Sequence, residues 1–368
     1  MPGIYFHIPF CKQACHYCNF HFSTSLRYRK EMINAMASEL EGKAEMEKTR
    51  MEMARMEMAR MELAKVEMAQ MEMAQMEMAH VKINESKEDV ETIYFGGGTP
   101  SLLSADEIKR LMDIVYKNFS VSPDAEITLE ANPDDINRSI LKEWRSSGIN
   151  RLSLGIQSFR DEDLTWMNRA HNGSQAIECI KAAKDEGFDN FSADLIFGTP
   201  TLTDEAWKEN VDRLLELEPP HIAAYALTVE PFTPLNKMIA LKKKQGVDPG
   251  KQATQFLLLM DWLEANGYEH YEISNFCKPG KKSIHNSSYW NGVPYIGIGP
   301  SAHSFDGEKR SWNISNNNKY IEGINNGVSF SEHEILSFHQ RLNEYIMTSL
   351  RTNGGLSLLH VEEIFGEA

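Results

Sequence analysis

Six short apolar runs divide the chain, and longer amphipathic stretches separate them. The runs cover residues 3–9, 91–97, 125–131, 151–157, 191–198 and 221–229. Segments with helical spacing lie between them, at residues 104–118, 136–147, 174–186 and 203–216. Ser104 and Glu107 have the spacing of a capping box at the start of the first segment. Alternating strand and helix units predict an α/β protein with a parallel sheet, and their regular spacing favours a barrel or partial barrel.

Residues 51–80 break this pattern, because they repeat a five-residue unit six times. The repeat consists almost entirely of Met, Glu, Ala, Arg, Lys and Gln, which are all good helix formers. A five-residue period advances about 140° around a helix, so the methionines spiral around it and form no single apolar stripe. We predict a solvated helical insertion at residues 44–88. A Met-rich device that binds a metal or a peptide is the alternative.

Composition narrows the class of protein. The 368 residues suit one large domain plus a smaller one, and 42% hydrophobic residues can form a sizeable core. The net charge of −15 argues against nucleic acid as a partner, since nucleic-acid binders use clustered Lys and Arg. No run approaches the roughly 18 to 20 consecutive apolar residues that span a bilayer, and the first ten residues lack the basic region of a signal peptide. We expect a cytoplasmic protein that contacts membranes at most transiently.

Polar or glycine-rich features lie at the ends of five of the six predicted strands. A loop with three cysteines follows the first strand, and the glycine-rich residues 96–100 follow the second. Glu130, Gln157 and Asp194 lie near the ends of the next three strands. In barrels of parallel strands, active sites form at the carboxyl ends of the strands. We therefore expect these five features to meet at one rim, although the glycine run alone is also typical of a tight turn.

The cysteines point to a metal centre. Cys11, Cys15 and Cys18 fall within eight residues, and only Cys179 and Cys277 lie elsewhere. In a reducing compartment such a group is more often a metal site than a disulfide framework. Three soft thiolates suit either zinc, which normally takes a fourth ligand, or an iron–sulfur cluster.

These motifs resemble the radical S-adenosylmethionine superfamily and, more narrowly, the oxygen-independent coproporphyrinogen III oxidase group. The resemblance rests on the CX3CX2C loop with YFHIPFC before it and on GGGTPS after the second strand. Further matches follow in order: GIQSF at 155–159, NRAH at 168–171, ADLIFGTP at 193–200 and GIGPSAHSF at 297–305. The resemblance runs from Gly3 to about residue 355 and is interrupted by the Met-rich repeat.

The resemblance implies a partial six-stranded barrel with a 4Fe-4S cluster on Cys11, Cys15 and Cys18 and with S-adenosylmethionine on the fourth iron. One electron from the cluster then cleaves a carbon–sulfur bond and gives a 5′-deoxyadenosyl radical. By position, the implied cofactor contacts are Tyr5, Tyr17, Gly97, Gly98, Thr99, Glu130, Gln157, Arg169, Asp194 and Ala226. Carboxylates can accept hydrogen bonds from ribose or amino groups, and Arg169 can bind a carboxylate.

The same resemblance divides the chain into three parts. It implies a barrel over residues 1–230, a family-specific extension over residues 231–330, and the start of a small helical, winged-helix-like domain over residues 331–368. We expect this last domain to be incomplete, which would leave Leu358, Ile364 and Phe365 without apolar partners.

Two departures separate the chain from the true oxidases of this group. Those carry a fourth cysteine where this chain has Phe20, and they have an arm before the barrel, which begins here almost at Met1. In addition, HNSSYW at 285–290 is similar to the HNxxYW motif of the heme-chaperone branch. The resemblance therefore implies a protein that binds heme and passes it to acceptor proteins such as respiratory enzymes.

His285 is the candidate heme ligand, because a neutral imidazole is a good axial ligand, and Tyr289 and Trp290 offer flat surfaces to a macrocycle. His303 is a second candidate. Alternatively, His285 is a loop histidine whose ring bonds to neighbouring backbone. Two other functions stay open: a radical enzyme that acts on a porphyrin or related tetrapyrrole, and a partner-binding module built on the Met-rich helix.

Overall fold

A computed structural model describes residues 3–72 and 89–366 of the chain. Within these residues, twelve strands form one sheet with the order β12-β11-β10-β9-β1-β2-β3-β4-β5-β6-β8-β7. The strands are β1 (Gly3–Ile8), β2 (Val90–Gly97), β3 (Val121–Ala131), β4 (Arg151–Gln157), β5 (Phe191–Phe197), β6 (His221–Ala226), β7 (Glu269–Glu272), β8 (Asn275–Cys277), β9 (Tyr295–Ile298), β10 (His303–Phe305), β11 (Lys309–Asn313) and β12 (Ser331–Ile335).

Twelve helices accompany these strands in the described residues. They are α1 (Arg29–Glu72), α2 (Ala105–Asn118), α3 (Arg138–Ser146), α4 (Asp161–Met167), α5 (Gly173–Asp185), α6 (Asp204–Glu216), α7 (Pro234–Ala240), α8 (Pro249–Ala265), α9 (Ile284–Trp290), α10 (Asn317–Asn326), α11 (Phe338–Ser349) and α12 (Leu358–Phe365). The helix at α2 begins with the predicted capping box, in which Ser104 and Glu107 each accept a backbone N–H of the other.

The predicted α/β fold with a partial barrel of six parallel strands is confirmed. Strands β1 to β6 pair side by side, in parallel and in chain order. The sheet extends further than predicted, because β9 pairs in parallel with the free edge of β1 and antiparallel strands follow at both ends. These additional strands are three to five residues long, too short to show a clear apolar period.

The period of two along the strands separates the core from the inside of the barrel. On β2, Ile93 and Phe95 are fully buried in the hydrophobic core, and the ring of Phe95 stacks on that of Phe6 from β1 at 4.7 Å. The alternate positions, Thr92 and Tyr94, carry polar groups that bond to residues inside the barrel. The helices cover the apolar side, so the polar inner face is left to line a cavity.

The Met-rich repeat is helical as far as the structure describes it. Helix α1 includes residues 51–72, while residues 73–80 lie outside the described residues. Met32, Met36 and Leu40 near the start of α1 are buried in the core, whereas the methionines of the repeat with described side chains are mostly exposed. The limits of the insertion, like the other domain limits, stay predictions.

The C-terminal helices are only lightly packed. Leu358 and Ile364 are exposed, as expected. The expectation for Phe365 is wrong, because its ring packs edge-on against Phe338 of α11 at 5.6 Å and lies close to Tyr345. Among the described residues, no helix is both long enough and apolar enough to cross a membrane.

Candidate functional site

A cavity of about 660 Å³ lies at the carboxyl ends of β1 to β6. Its wall contains the fourteen residues that the sequence analysis gave as cluster ligands, S-adenosylmethionine contacts and first candidate for heme: Tyr5, Cys11, Cys15, Tyr17, Cys18, Gly97, Gly98, Thr99, Glu130, Gln157, Arg169, Asp194, Ala226 and His285. The five features at the strand ends therefore do meet in space, as parallel strands require. Their individual binding roles stay predictions.

The cysteine loop is fastened at both ends. The backbone N–H of Cys11 donates to the carbonyl of Ser23 at 3.0 Å, and that of His16 donates to the carbonyl of Met167 at 3.1 Å. Asn168 ends α4 in the left-handed conformation and donates through Nδ2 to the carbonyl of Ala14 at 2.8 Å. Helix α4 and the NRAH segment therefore hold the loop over the cavity.

The cysteine thiols lie half-buried at one end of the cavity. Burial raises the pKa of Cys11 to about 11 and also raises the pKa of Cys18. Both thiols are thus protonated at neutral pH, and metal binding would release their protons. Nη1 of Arg169 lies 3.4 Å from the sulfur of Cys15, and the guanidinium charge opposes the rise in the pKa of Cys11 and Cys18.

The three thiols are soft donors that lie around one end of the cavity. In the described residues, no three His, Cys, Asp or Glu side chains converge as ligands of a single metal ion. A 4Fe-4S cluster offers a separate iron to each thiolate, so three thiols around one end of a cavity fit the cluster.

The glycine-rich segment after β2 packs closely against β1 and the start of the cysteine loop. The backbone N–H groups of Gly98 and Thr99 donate to the carbonyls of Ile8 and Phe10 at 2.9 and 2.6 Å. A Cβ on Gly98 would lie 2.6 Å from the carbonyl oxygen of Phe10, and Gly97 has a φ of 105°. Only glycine fits both positions, and the absence of side chains leaves room at the cavity wall.

Two carboxylates line the cavity. Glu130 accepts a hydrogen bond from the hydroxyl of Tyr94 at 2.9 Å, and burial raises its pKa to about 7. Asp194 accepts hydrogen bonds from Ser192 at 2.6 Å and Ser153 at 2.9 Å, and burial raises its pKa as well. Each carboxylate keeps lone pairs that can accept hydrogen bonds from amino or hydroxyl groups.

Arg169 is fixed between several elements. Its Nη2 donates to Oδ1 of Asn132 at 2.6 Å and to the carbonyl of Gly155 at 3.1 Å. Asn132 in turn donates to the hydroxyl of Thr99 at 3.2 Å, which connects the arginine to the glycine-rich segment. The buried Nε of Arg169 has no partner among the described residues. A guanidinium held in this way can bind a carboxylate with little loss of freedom.

Several residues of the site escaped the sequence reasoning. Tyr94, Asn132, Arg151, Ser153 and Ser192 all line the cavity. Two of them lie two positions from a predicted residue: Ser192 from Asp194 on the same strand, and Asn132 from Glu130, directly after the end of β3. Residues i and i+2 of a strand share a face, so this spacing was the available signal.

His285 is buried on α9, at the inner wall of the cavity. Its Nδ1 lies 2.9 Å from the hydroxyl of Thr92 and its Nε2 lies 3.0 Å from the hydroxyl of Tyr289. Its ring stacks on Tyr94 at 4.6 Å. Burial and the charge of Arg151 lower its pKa to about 3, so the imidazole is neutral at neutral pH. The loop-histidine alternative is wrong, because His285 lies on a helix and its ring bonds to side-chain hydroxyls.

The other residues of the HNSSYW segment lie nearer to the surface. Tyr289 is 39% exposed and lines the cavity together with Phe20, which is 66% exposed. Trp290 is half-buried. His303 is exposed on β10, where its ring lies 6.2 Å from that of Trp312, and it is not among the residues that line the cavity.

A buried carboxylate anchors the start of α9. Glu126 of β3 accepts the backbone N–H groups of Ile284 and His285, at 3.1 and 3.0 Å, and the hydroxyl of Ser283 at 3.2 Å. Its Oε2 also lies 3.6 Å from Nε of Arg151, and both side chains are almost fully buried. The carboxylate therefore complements the positive end of the helix and fixes the position of His285.

Comparison with known proteins agrees with this geometry. Residues 5–214 match the Radical SAM superfamily. "Heme chaperone HemW" from Bacillus subtilis is 30% identical over 100% of this chain and 88% of its own length. The protein of the same name from Lactococcus lactis is 31% identical over 98% of this chain and 84% of its own length.

A solved structure shares the fold. The coproporphyrinogen III oxidase HemN from Escherichia coli, described as a radical SAM enzyme, superposes with a TM-score of 0.76. The match covers 98% of this chain and 78% of that one at 22% identity, which supports the fold alone. The family match over residues 5–214 and the sequence matches, which cover 88% and 84% of the two relatives, show that the chain belongs to the radical SAM superfamily and, within it, to the HemW family.

Proposed function

We propose that the protein is a heme chaperone, which binds a 4Fe-4S cluster, S-adenosylmethionine and heme and transfers heme to acceptor proteins such as respiratory enzymes. One observation carries the proposal: His285 and Tyr289 of the HNSSYW segment line the same cavity as the three cysteines. The relatives named heme chaperones support it, since they resemble this chain over nearly its full length.

Most of the predicted residues of the cavity are assigned here to the cluster and to S-adenosylmethionine. We assign the cluster to Cys11, Cys15 and Cys18, and the carboxylate of S-adenosylmethionine to Arg169. The remaining assigned contacts to S-adenosylmethionine are Tyr5, Tyr17, Gly97, Gly98, Thr99, Glu130, Gln157, Asp194 and Ala226, with its amino and ribose groups facing Glu130 and Asp194. When bound, the cluster and S-adenosylmethionine supply one-electron chemistry. The protein itself contributes the charges, the hydrogen bonds and the cavity in which they lie.

Heme is assigned to His285, whose ring is held in one orientation by Thr92. A partner on the second ring nitrogen fixes both the tautomer and the angle of a ligating histidine. Binding of heme iron at Nε2 requires the hydroxyl of Tyr289 to give up its hydrogen bond. Tyr289 is partly exposed, so its ring has room to turn away from His285.

An anaerobic heme titration of cluster-reconstituted protein, followed by the Soret band, tests this function. We expect stoichiometric binding by the parent protein and its loss in His285→Ala. Tyr289→Phe is expected to bind heme at least as tightly as the parent, because it frees Nε2 at little cost in shape. His303→Ala is the matched control and should bind like the parent.

A parent protein that binds no heme would contradict the chaperone function and would make a tetrapyrrole-modifying radical enzyme the leading account. Loss of binding in His303→Ala alone would keep heme and move the ligand to β10.

Arg169→Lys is expected to weaken the binding of S-adenosylmethionine about tenfold to a hundredfold. A lysine lacks the planar guanidinium with which Arg169 donates hydrogen bonds to Asn132 and Gly155 and can bind a carboxylate at the same time. Isothermal titration of the cluster-loaded protein measures the effect. Arg160→Lys, at a half-exposed arginine paired with Glu162, is the control. Equal affinities for the parent and Arg169→Lys would remove Arg169 from the binding site.

We also propose a cytoplasmic location. All five cysteines are free, which suits a reducing compartment. An acceptor protein in or at a membrane would then need only transient contact with the chaperone.

A further inference from the structure

A positively charged surface lies beside the cysteine loop. Residues 231–247 carry four lysines and no carboxylate, in a chain whose net charge is −15. Five of the exposed residues of this segment are called the lysine patch here: Phe232, Lys237, Leu241, Lys242 and Lys243. The turn after α7 holds Lys242 and Lys243 against the end of that helix, because they donate backbone N–H groups to the carbonyls of Ile239 and Met238 at 2.9 and 2.8 Å.

The segment that carries the lysine patch packs onto the cysteine loop through two residues outside the patch, Leu235 and Lys244. Leu235 is buried in a small apolar cluster against which Tyr17 of the cysteine loop packs, and its N–H donates to the carbonyl of His16 at 2.8 Å. Lys244 lies over the ring of Trp166 at 4.5 Å, and its ammonium is 2.9 Å from Nδ1 of His16. The segment that carries the patch therefore adjoins the cysteine loop at His16 and Tyr17.

Phe232 has a strained backbone conformation that no burial of its side chain offsets. Its side chain is fully exposed and its backbone φ is 67°, in the left-handed region that disfavours large side chains. A phenylalanine that is both strained and solvated gains no burial within the chain. An exposed aromatic ring in a lysine-rich segment is typical of a surface that contacts another protein.

We propose that the lysine patch is the docking surface for an acidic electron-donor protein that reduces the cluster. The inference rests on the cluster of the proposed function. The donor carries a reduced flavin or iron–sulfur group amid Asp and Glu residues. It gives up one electron and is oxidised, the cluster gains that electron and is reduced, and no bond or proton is exchanged.

Three features support this kind of partner. The patch is basic on an otherwise acidic chain, so a carboxylate-rich surface is attracted to it and repelled elsewhere. It adjoins the cysteine loop, which keeps the path of the electron short. None of its five residues lines the cavity, so a docked donor leaves room for heme and S-adenosylmethionine to enter.

The test compares two triple variants with the cluster-loaded parent protein. Lys237→Gln/Lys242→Gln/Lys243→Gln removes the charges of the patch. Lys117→Gln/Lys142→Gln/Lys181→Gln is the matched control, because it removes three exposed lysines from α2, α3 and α5. The rate of cluster reduction is measured with the hydroquinone of an acidic flavodoxin and, separately, with photoreduced deazaflavin, a small reductant that needs no docking surface.

We expect the patch variant to be reduced by flavodoxin about tenfold more slowly than the parent at low salt, as loss of electrostatic steering predicts. This difference should shrink at high salt. Deazaflavin should reduce all three proteins equally fast, and the control variant should behave like the parent. Phe232→Asn should slow flavodoxin about threefold while the Tm stays equal or rises, because asparagine tolerates the left-handed backbone.

Several results would overturn the proposal. Equal flavodoxin rates for the parent and the patch variant would do so directly. If the patch variant instead loses binding to phosphatidylglycerol vesicles while its flavodoxin rate is unchanged, the patch is a membrane contact and not a protein docking surface. If deazaflavin reduces no cluster even in the parent protein, the proposed cluster itself is contradicted. The deazaflavin measurement therefore separates a failure of the proposed function from a failure of the docking surface alone.

Discussion

Replacing Glu126 by glutamine is expected to lower the free energy of unfolding by about 3–5 kcal/mol, the typical effect of breaking a buried ion pair. The substitution removes the negative charge that lies 3.6 Å from Nε of Arg151. The guanidinium of Arg151 is buried, and its Nε and Nη2 have no hydrogen-bond partner among the described residues. It also weakens the contacts to Ser283 and His285 at the start of α9. We therefore expect heme binding to fall together with stability. Urea unfolding and the Soret titration measure the two effects.

Two controls define the origin of this loss. Glu107→Gln removes a carboxylate with similar contacts, an ion pair to Arg29 and a helix cap at Ser104, but on a partly exposed surface. We expect it to cost only about 1 kcal/mol. The double variant Glu126→Gln/Arg151→Met should be more stable than Glu126→Gln alone, because it also removes the unpaired charge. The ion-pair account would be contradicted if the double variant lost as much free energy of unfolding as Glu126→Gln and Arg151→Met lose when their separate effects are added.

Acidification from pH 7 to pH 5 is expected to lower the free energy of unfolding by about 3–5 kcal/mol. Burial lowers the pKa of His7 and His171 to about 4 and that of His285 to about 3, and it lowers the pKa of His221 well below its usual value. In the unfolded chain these histidines take up protons near pH 6.5. Below that pH the unfolded state binds more protons, so each histidine costs up to about 1.4 kcal/mol of stability per pH unit.

Glu130 strongly opposes this loss of stability on acidification. Burial raises the pKa of Glu130 to about 7, so the folded state holds a proton that the unfolded state lacks between about pH 7 and its usual pKa. This contribution stabilises the fold as the pH falls, and Asp194 and Glu272, whose pKa values burial also raises, act in the same sense at lower pH. Four histidines outweigh these carboxyl groups over the stated range.

The urea midpoint of the cluster-free protein at pH 7, 6 and 5 measures the net effect. His171→Gln should reduce the pH dependence by about one proton, because its ring lies buried against the carbonyl of Ile156. The exposed His333→Gln is the control. A midpoint that does not change with pH, or an equal effect of both substitutions, would contradict the assignment.

The barrel and the features at the strand ends could be predicted from the sequence. Five of the six parallel strands are apolar runs that end in glycine or polar residues, such as Gly98 after β2 and Asp194 on β5. Parallel strands bring such ends to one edge, so local patterns were sufficient to place distant residues together. The same local patterns predicted α2 and its capping box correctly.

The environment of His285 could not be predicted in the same way. Its partner Thr92 and its anchor Glu126 are 193 and 159 residues away in sequence, and both occupy ordinary positions in apolar strands. Tyr289 follows at i+4, but the serine-rich HNSSYW segment forms a helix of only seven residues. Serine and asparagine favour caps and turns over helix interiors, so the i+4 contact was hidden.

The position of β1 has a consequence for how the chain is made. This strand is the earliest in the sequence, yet it lies between β2 and β9, with Gly3 opposite Tyr295 and Phe6 opposite Ile298. During synthesis its second edge has no partner until almost 300 residues have left the ribosome. An open edge that carries Ile4 and Phe6 is a template for pairing with other chains. Nascent chains of this protein therefore expose this edge until β9 has been synthesised.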